Sequence, residues 1–322
     1  MTKFILRRLL QLIPLVLGIT FISFAVMQLA PGDYLTTLQG NPQIRPETIE
    51  RLRTDFGLDK PWPLQYFNWL WNALHGNFGY SFTYKIGVFT LIGQRVYYTF
   101  LLSLWSTIFA WAVALPLGVY VATHRNSISD RLANFFAFAG ISLPGFFVAL
   151  LALIFAQRTG WLPVGGASDP QYETFSHAGK IWDTTQHLLL PVLVLGTRGV
   201  AGLMRQMRGN LLDVLSENFV LAARARGLSE RRVIYKHAFR NAINPLITLF
   251  GYELSGLLAG AALIEVVMGW PGLGQLLLEA VQTKDLYVAM GAFVMGAGLL
   301  IMGNLVADLL LALTDPRIKF SN

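Results

Sequence analysis

The chain has 322 residues, 54% of them hydrophobic and 13% charged, where a soluble globular protein carries about 25% charged residues. Mean hydropathy is +0.50, so one membrane domain fits better than the roughly two soluble domains that the length would admit. The absence of cysteine excludes disulfides, thiolate metal sites and a cysteine nucleophile, and the net charge of +7 does not signal nucleic acid, because the basic residues gather in particular loops.

A bilayer core about 30 Å thick needs about 20 mostly apolar residues in a helix. Six stretches meet this: about Leu9 to Ala30, Thr99 to Val121, Leu132 to Ala156, His187 to Met204, Pro245 to Glu265 and Tyr287 to Leu313. The fourth is the weakest, because Arg198 lies inside it. The runs do not alternate as barrel strands would, and a helix satisfies its own backbone in lipid. The sequence therefore predicts an all-α membrane protein of six transmembrane helices. Residues 1–98 hold the first helix and an extracytoplasmic loop region, 99–313 the transmembrane core with a cytoplasmic loop at about 205–244, and 314–322 a short cytoplasmic tail.

Lys3, Arg7 and Arg8 would suit a signal peptide. The apolar run after them is longer than the usual ~7–15 residues and ends in Ala30-Pro31-Gly32-Asp33, without a clear cleavage site. It reads as a retained first span. Lys and Arg set the orientation. With the N-terminus inside, cytoplasmic segments hold Lys3, Arg7, Arg8, Arg125 and Arg131, eight basic residues from Arg205 to Arg240, and Arg317 and Lys319. The short external loops hold only Arg158, Lys180 and Lys284. Both termini are predicted to be cytoplasmic.

The first external loop, about Pro31 to Tyr98, reads as folded. Pro46 to Phe56 has Ile49, Leu52 and Phe56 at helical spacing, with Gly57 as a stop. Pro61-Trp62-Pro63 then turns the chain into an aromatic segment containing Tyr66, Phe67, Trp69 and Trp71. Such a segment suits either the water–lipid interface or a packed extracytoplasmic subdomain, and the two are compatible.

Between about Arg205 and Asn244 the basic loop is well patterned. Asn210 to Arg226 predicts a helix, Gly227 fits a position needing φ > 0, and Ser229 fits the N-cap of a second helix from Glu230 to about Asn241. Glu230 in that first turn favours the helix dipole. The product is helix, glycine break, helix, projecting into the cytoplasm.

The segment Ala222-Ala223-Arg224-Ala225-Arg226-Gly227-Leu228-Ser229, with His237, Arg240-Asn241-Ala242 and Pro245 downstream, resembles the cytoplasmic signature loop of ABC importer permeases. Its dense form is similar to the dipeptide/oligopeptide/nickel branch. Ala30-Pro31-Gly32-Asp33, Phe56-Gly57-Leu58-Asp59-Lys60-Pro61, Gly160-Trp161-Leu162-Pro163, Trp270-Pro271-Gly272-Leu273-Gly274 and Asp315-Pro316-Arg317 extend the likeness over nearly the whole chain. Asn77 and Met268-Gly269 depart from the branch's pattern.

The resemblance implies a type I ABC importer permease fold in a bacterial-type inner membrane. It implies a second homologous permease subunit, two cytoplasmic ATPases that bind ATP and Mg²⁺, and an extracytoplasmic solute-binding protein. Residues Ala222 to Glu230 would be the ATPase-coupling loop. Di- or oligopeptides are the expected solutes; nickel complexes, opines and oligosaccharides are alternatives within the family. No Gly-x-x-x-x-Gly-Lys-Ser/Thr phosphate loop occurs, so the chain is expected to bind no cofactor of its own.

Arg198, Glu253, Glu265 and Asp308 lie in or at the edges of spans, where ionisable groups usually face protein or water. Arg198 and Glu253 either pair or line the path. Glu265 either holds the external Trp-Pro-Gly turn or takes part in an outer gate. Asp308 is expected to anchor a helix or meet a neighbouring subunit. Pro144-Gly145 is the best hinge candidate in the third span. The histidines are scattered without metal-ligand spacing, and no convergent acid–base set appears, so neither a metal site nor an intramembrane enzyme is favoured.

Overall fold

The computed structural model describes residues 2–29, 35–36, 45–55 and 57–314. Among them the secondary structure is helical, with a single isolated bridge between Tyr80 and Gly87. The helices are α1 (Thr2–Leu29), α2 (Pro46–Asp55), α3 (Trp62–Leu74), α4 (Val88–Thr123), α5 (Ile128–Ser142), α6 (Gly145–Thr159) and α7 (His177–Leu215). There follow α8 (Asn218–Ala225), α9 (Glu230–Arg232), a π-helical stretch (Val233–Ala238), α10 (Phe239–Ala242), α11 (Asn244–Met268), α12 (Leu273–Gln282) and α13 (Leu286–Thr314).

Among the described residues three helices are long and apolar enough to cross a membrane: Val88–Thr123, His177–Leu215 and Leu286–Leu305. The number rises to five if each of two interrupted pairs counts as one span, and Ile13–Leu29 is a shorter apolar helix. The predicted third span is not one helix. It breaks at Leu143 and Pro144, and the two pieces meet at 104°. Proline has no N–H to continue the ladder, and it pushes the residue before it out of helical geometry. Leu143 is accordingly extended, at φ −78° and ψ 132°. The predicted fourth span is longer than expected. Its 39 residues give a helix of about 58 Å, capped at Ser176, whose hydroxyl accepts from the Gly179 N–H at 3.2 Å.

The chain divides into two compact units. One comprises Met1–Thr99 and Pro271–Ile301. In it Phe24, Tyr66, Trp69, Leu286 and Met290 form one buried cluster, and Val88, Ile92, Leu276 and Ala289 belong to another. Asp285 is buried here. Its Oδ2 accepts from the Ser81 hydroxyl at 2.7 Å and the Thr83 N–H at 3.1 Å, tying the 81–83 turn to the start of α13. The amphipathic helix predicted from Pro46 is described to Asp55, and Gly57 beyond it has φ +64°; Phe56 lies outside the described residues.

The other unit comprises Phe100–Trp270 and Met302–Asn322. Helix α7 is its axis, packed by α5, α6 and α11. Small residues bring α4 against α7. A Cβ on Gly196 would lie 2.5 Å from the Phe109 ring and 3.1 Å from the Ser106 carbonyl, and one on Gly118 would lie 2.7 Å from Met207 Cβ. Such glycines allow close backbone approach where apolar burial gives no preference for helix over lipid.

Candidate functional site

Helix α7 ends at Leu215, eleven residues before the predicted end of the Asn210–Arg226 helix. The Ser216 hydroxyl donates to the Asp213 carbonyl at 2.7 Å, a local bond that competes with continuing the helix. Glu217 is extended, at φ −70° and ψ 147°. Helix α8 then folds back, and Val220 and Ala223 pack with Met207, Leu211, Val233, Ala238 and Leu246. The single predicted helix is therefore two, because the break buries these residues on both sides of it.

Gly227 occupies the predicted position, with φ +75°. Its N–H donates to the Arg224 carbonyl at 2.9 Å, and the Leu228 N–H reaches the Ala223 carbonyl at 3.4 Å. These two bonds are those of a Schellman cap, whose left-handed residue favours glycine. A Cβ added at Gly227 would meet nothing within 4 Å. The glycine is thus a bare tip. Around it Ala222, Arg224, Ala225, Arg226, Ser229 and Glu230 are exposed, whereas Ala223 is buried and Leu228 half-buried. Phe219 and Leu221 also present apolar side chains outward from α8.

Ser229 has N-cap backbone geometry but makes no side-chain cap bond. Glu230 does more than face a helix dipole. Its carboxylate accepts from Arg224 Nε at 2.8 Å and Nη2 at 3.3 Å, closing the two arms across Gly227. The predicted second helix runs as helical backbone to Ala242, but its middle, Val233–Ala238, is π-helical. Asn210 Nδ2 of α7 donates to the Ala242 carbonyl at 3.1 Å and satisfies the end of that segment.

An ion pair that sequence reading missed lies above this loop. Arg208 Nε donates to Asp130 Oδ1 at 2.7 Å, and Nη2 donates to Oδ2 at 2.8 Å. Asn134 Nδ2 donates to Oδ1 at 2.7 Å and the Asn126 N–H to Oδ2 at 3.0 Å, so the buried carboxylate is well satisfied. Ser127 caps α5 by accepting from the Asp130 N–H at 3.1 Å. The Ser-x-x-Asp spacing was a readable sign of a helix start. The partner, 78 residues away, left no local sign.

Of the predicted membrane charges, Arg198 is exposed on α7. Glu265 is fully buried, and its carbonyl accepts from the Trp270 N–H at 2.8 Å beneath a turn in which Gly269 has φ +63°. The Gly166 N–H also donates to the Met268 carbonyl there, at 2.9 Å. The Glu253 and Asp308 side chains lie outside what the structure describes, as do Ala30-Pro31-Gly32-Asp33 and Asp315-Pro316-Arg317. In the other unit Tyr84 donates to Glu279 and lies under Arg95. Burial, then the Glu279 bond and charge, push its phenol above the ordinary value, against the pull of Arg95. Among the described residues no cluster of three or more His, Cys, Asp or Glu has metal-binding geometry.

Residues 114–320 match the family described as binding-protein-dependent transport system inner membrane component, and residues 1–103 match its N-terminal companion. The oligopeptide transport system permease protein AppB of Bacillus subtilis is 40% identical over 99% of this chain and 100% of its own length. The dipeptide transport system permease protein DppB of Escherichia coli K12 is 38% identical over 99% of each. The di/tripeptide transport system permease protein DppB of Pseudomonas aeruginosa is likewise 38% identical over 99% of each. These relatives are named as permease components, not enzymes. The chain belongs to the family of inner-membrane components of binding-protein-dependent transport systems.

Proposed function

We propose that this chain is one pore-forming permease half of an ATP-driven importer for di- or oligopeptides, and that residues Ala222 to Glu230 receive the work of ATP hydrolysis from a partner subunit. The observation that carries the coupling role is the exposed tip at Gly227, with open space around its Cα and an ion pair closing its two arms. A narrow, rigid projection suits insertion into a groove on another protein. The peptide class rests on the relatives, which are named for oligopeptide, dipeptide and di/tripeptide transport.

In this reading the chain has six spans, with both termini cytoplasmic and a folded extracytoplasmic region after the first. Residues 1–98 hold that region, 99–313 the core and 314–322 a tail. Its partners are a second permease, two ATPases that bind ATP and Mg²⁺, and an external binding protein that delivers the solute. The chain itself binds no cofactor. Nucleotide-driven closure of the ATPases biases a rigid-body change of the helices through the docked loop. Arg198, Glu253 and Glu265 are proposed to line or gate the path. The burial of Glu265 under its turn favours the gate role over direct contact with solute. Asp308 is proposed to hold α13 or a neighbouring subunit.

Gly227→Val tests the coupling role. A β-branched residue at φ +75° strains the tip by about 1–2 kcal/mol without touching the core. Insertion and assembly should be retained while ATP hydrolysis no longer drives peptide uptake in vesicles. Undiminished uptake would refute the docking role. Failure of di- and oligopeptides to compete for uptake would refute the solute class alone.

A further inference from the structure

Helix α3 (Trp62–Leu74) presents three different faces. Tyr66 and Trp69 are buried against protein. Leu64, Phe67, Trp71 and Leu74 recur at helical spacing and are 53%, 63%, 66% and 74% exposed. Gln65, Asn68 and Asn72 each follow a member of that apolar stripe, and so form a polar stripe about 100° further round. The polar stripe lines a cleft of about 770 Å³, together with Lys60, Asn77 and Tyr80, and Trp71 of the apolar stripe borders it at the edge between the two faces. A helix wholly in water gains nothing from four large exposed apolar side chains in one line. A helix buried in a protein core would not carry an amide stripe along an open cleft.

The register of α3 against α1 supplies the missing partner. The Tyr66 hydroxyl lies 3.0 Å from Thr20 Oγ1 and donates to the Leu17 carbonyl at 3.3 Å. The Tyr66 ring meets those of Phe21 and Phe24, each at 5.6 Å between centroids. One residue earlier, Gln65 Oε1 accepts from Gln28 Nε2 at 3.0 Å. Helix α3 therefore crosses α1 near Phe21 to Phe24, five to eight residues before the end of α1 at Leu29. At 1.5 Å per residue this is about 7–12 Å inside the end of the apolar helix. Amphipathic helices that lie in a membrane surface bury their apolar face about 5–10 Å deep. At the same level of α1, Ile22, Val26 and Leu29 are exposed, as lipid-facing residues of a span must be.

We propose that α3 lies in the outer water–lipid boundary, with Leu64, Phe67, Trp71 and Leu74 in contact with the acyl chains and headgroups of the bilayer. Its amide stripe and the cleft face the water. The bilayer is then the third packing partner of this helix, and it holds the cleft at the membrane surface. This rests on α1 spanning the membrane with Leu29 at the outer side, as in the function proposed above. Trp and Tyr favour this boundary because one end of each ring system is apolar and the other wet.

The natural absence of cysteine makes the test direct. Single cysteines at Phe67, Trp71 and Leu74, at Asn68 and Asn72, and at Ile13 as a span control are nitroxide-labelled. The full chain is reconstituted with its transport partners in vesicles of phosphatidylethanolamine and phosphatidylglycerol. Collision with dissolved oxygen, which concentrates in lipid, is compared with collision with a water-soluble nickel chelate. The Phe67, Trp71 and Leu74 probes should favour oxygen severalfold over the Asn68 and Asn72 probes, as Ile13 does. Preference for the nickel chelate at all α3 positions, with Ile13 still in lipid, would overturn the lipid contact alone and leave a water-exposed subdomain. Exclusion of both reagents from the apolar stripe would overturn it in favour of a protein partner. An Ile13 probe open to the nickel chelate would overturn the span itself, and the α3 proposal with it.

Discussion

Arg208 and Asp130 are unequally buried, and this predicts unequal costs of removing them. The Asp130 side chain is 4% exposed, and that of Arg208 is 24% exposed. Arg208→Ala leaves a carboxylate in the interior with only Asn134 and the Asn126 N–H as partners. Stranding one member of a buried pair costs about 3–5 kcal/mol. Asp130→Ala leaves a long, partly exposed cation whose stem lets the guanidinium turn to water. Its cost is that of the lost hydrogen bonds, about 1–3 kcal/mol. Arg208→Ala should therefore be the more damaging change. The double variant Asp130→Leu with Arg208→Met removes both charges and fills the space, and should be less damaging than Arg208→Ala alone. The assay is unfolding of the purified chain in mixed micelles titrated with a denaturing detergent, followed by tryptophan fluorescence. Equal losses for the two alanine variants would refute this. So would a double variant whose loss is the sum of the two, since coupled residues are not additive.

Gly196→Val should lower thermal stability by about 1–3 kcal/mol through overpacking, because its Cβ would meet Phe109 and the Ser106 carbonyl; normal melting would show that α4 and α7 can separate freely. Glu230→Gln breaks an exposed pair worth only about 0–1 kcal/mol, so melting should be unchanged while more ATP is consumed per peptide transported, and the charge-swapped variant Arg224→Glu with Glu230→Arg should restore the ratio. Asp285→Ala removes the acceptor of the Ser81 hydroxyl and the Thr83 N–H and should cost about 1–3 kcal/mol. Asp285→Asn keeps an oxygen acceptor and should cost less, and proteolysis of the 81–87 turn in right-side-out vesicles would report both.

The legible features were those governed by local or compositional rules. Apolar length marked α4, α7 and α13, and the Gly227 cap followed from the need for a left-handed residue after α8. Prolines show where such rules stop. Pro116 and Pro191 lie inside continuous helices and Pro245 stands in the first turn of α11, whereas Pro144 and Pro271 coincide with breaks. Burial does not decide it: Pro191 is buried on α7, but Pro116 is exposed inside α4 and Pro144 is exposed at the break. Pro144 differs in being followed by a glycine and preceded by an extended residue. Ser216 and Glu217 were likewise unreadable as a break, because Leu211, Leu215, Phe219 and Ala222 recur at helical spacing as they would if the helix continued.

The Arg208–Asp130 pair, which was not legible, is one that the mechanical coupling proposed above would use. Helix α7 ends at Leu215 and joins the Gly227 tip through the separate helix α8, and Arg208 stands two turns before the end of α7. At that level Asp130 ties α5 to α7 through two short bonds. In the function proposed above, a displacement of the loop is shared by α7 and α5 as one body. The break at Pro144, where α6 leaves α5 at 104°, is the point at which that body is proposed to part from the rest of the span. Cores and interfaces change between discrete packings rather than deforming smoothly. In that proposal a loop joined to two clamped helices, ending at a bend, has the parts such a change requires. An ion pair 78 residues apart in sequence is a tertiary fact, so the sequence marked the Gly227 tip and the Pro144-Gly145 break but not the clamp between α5 and α7.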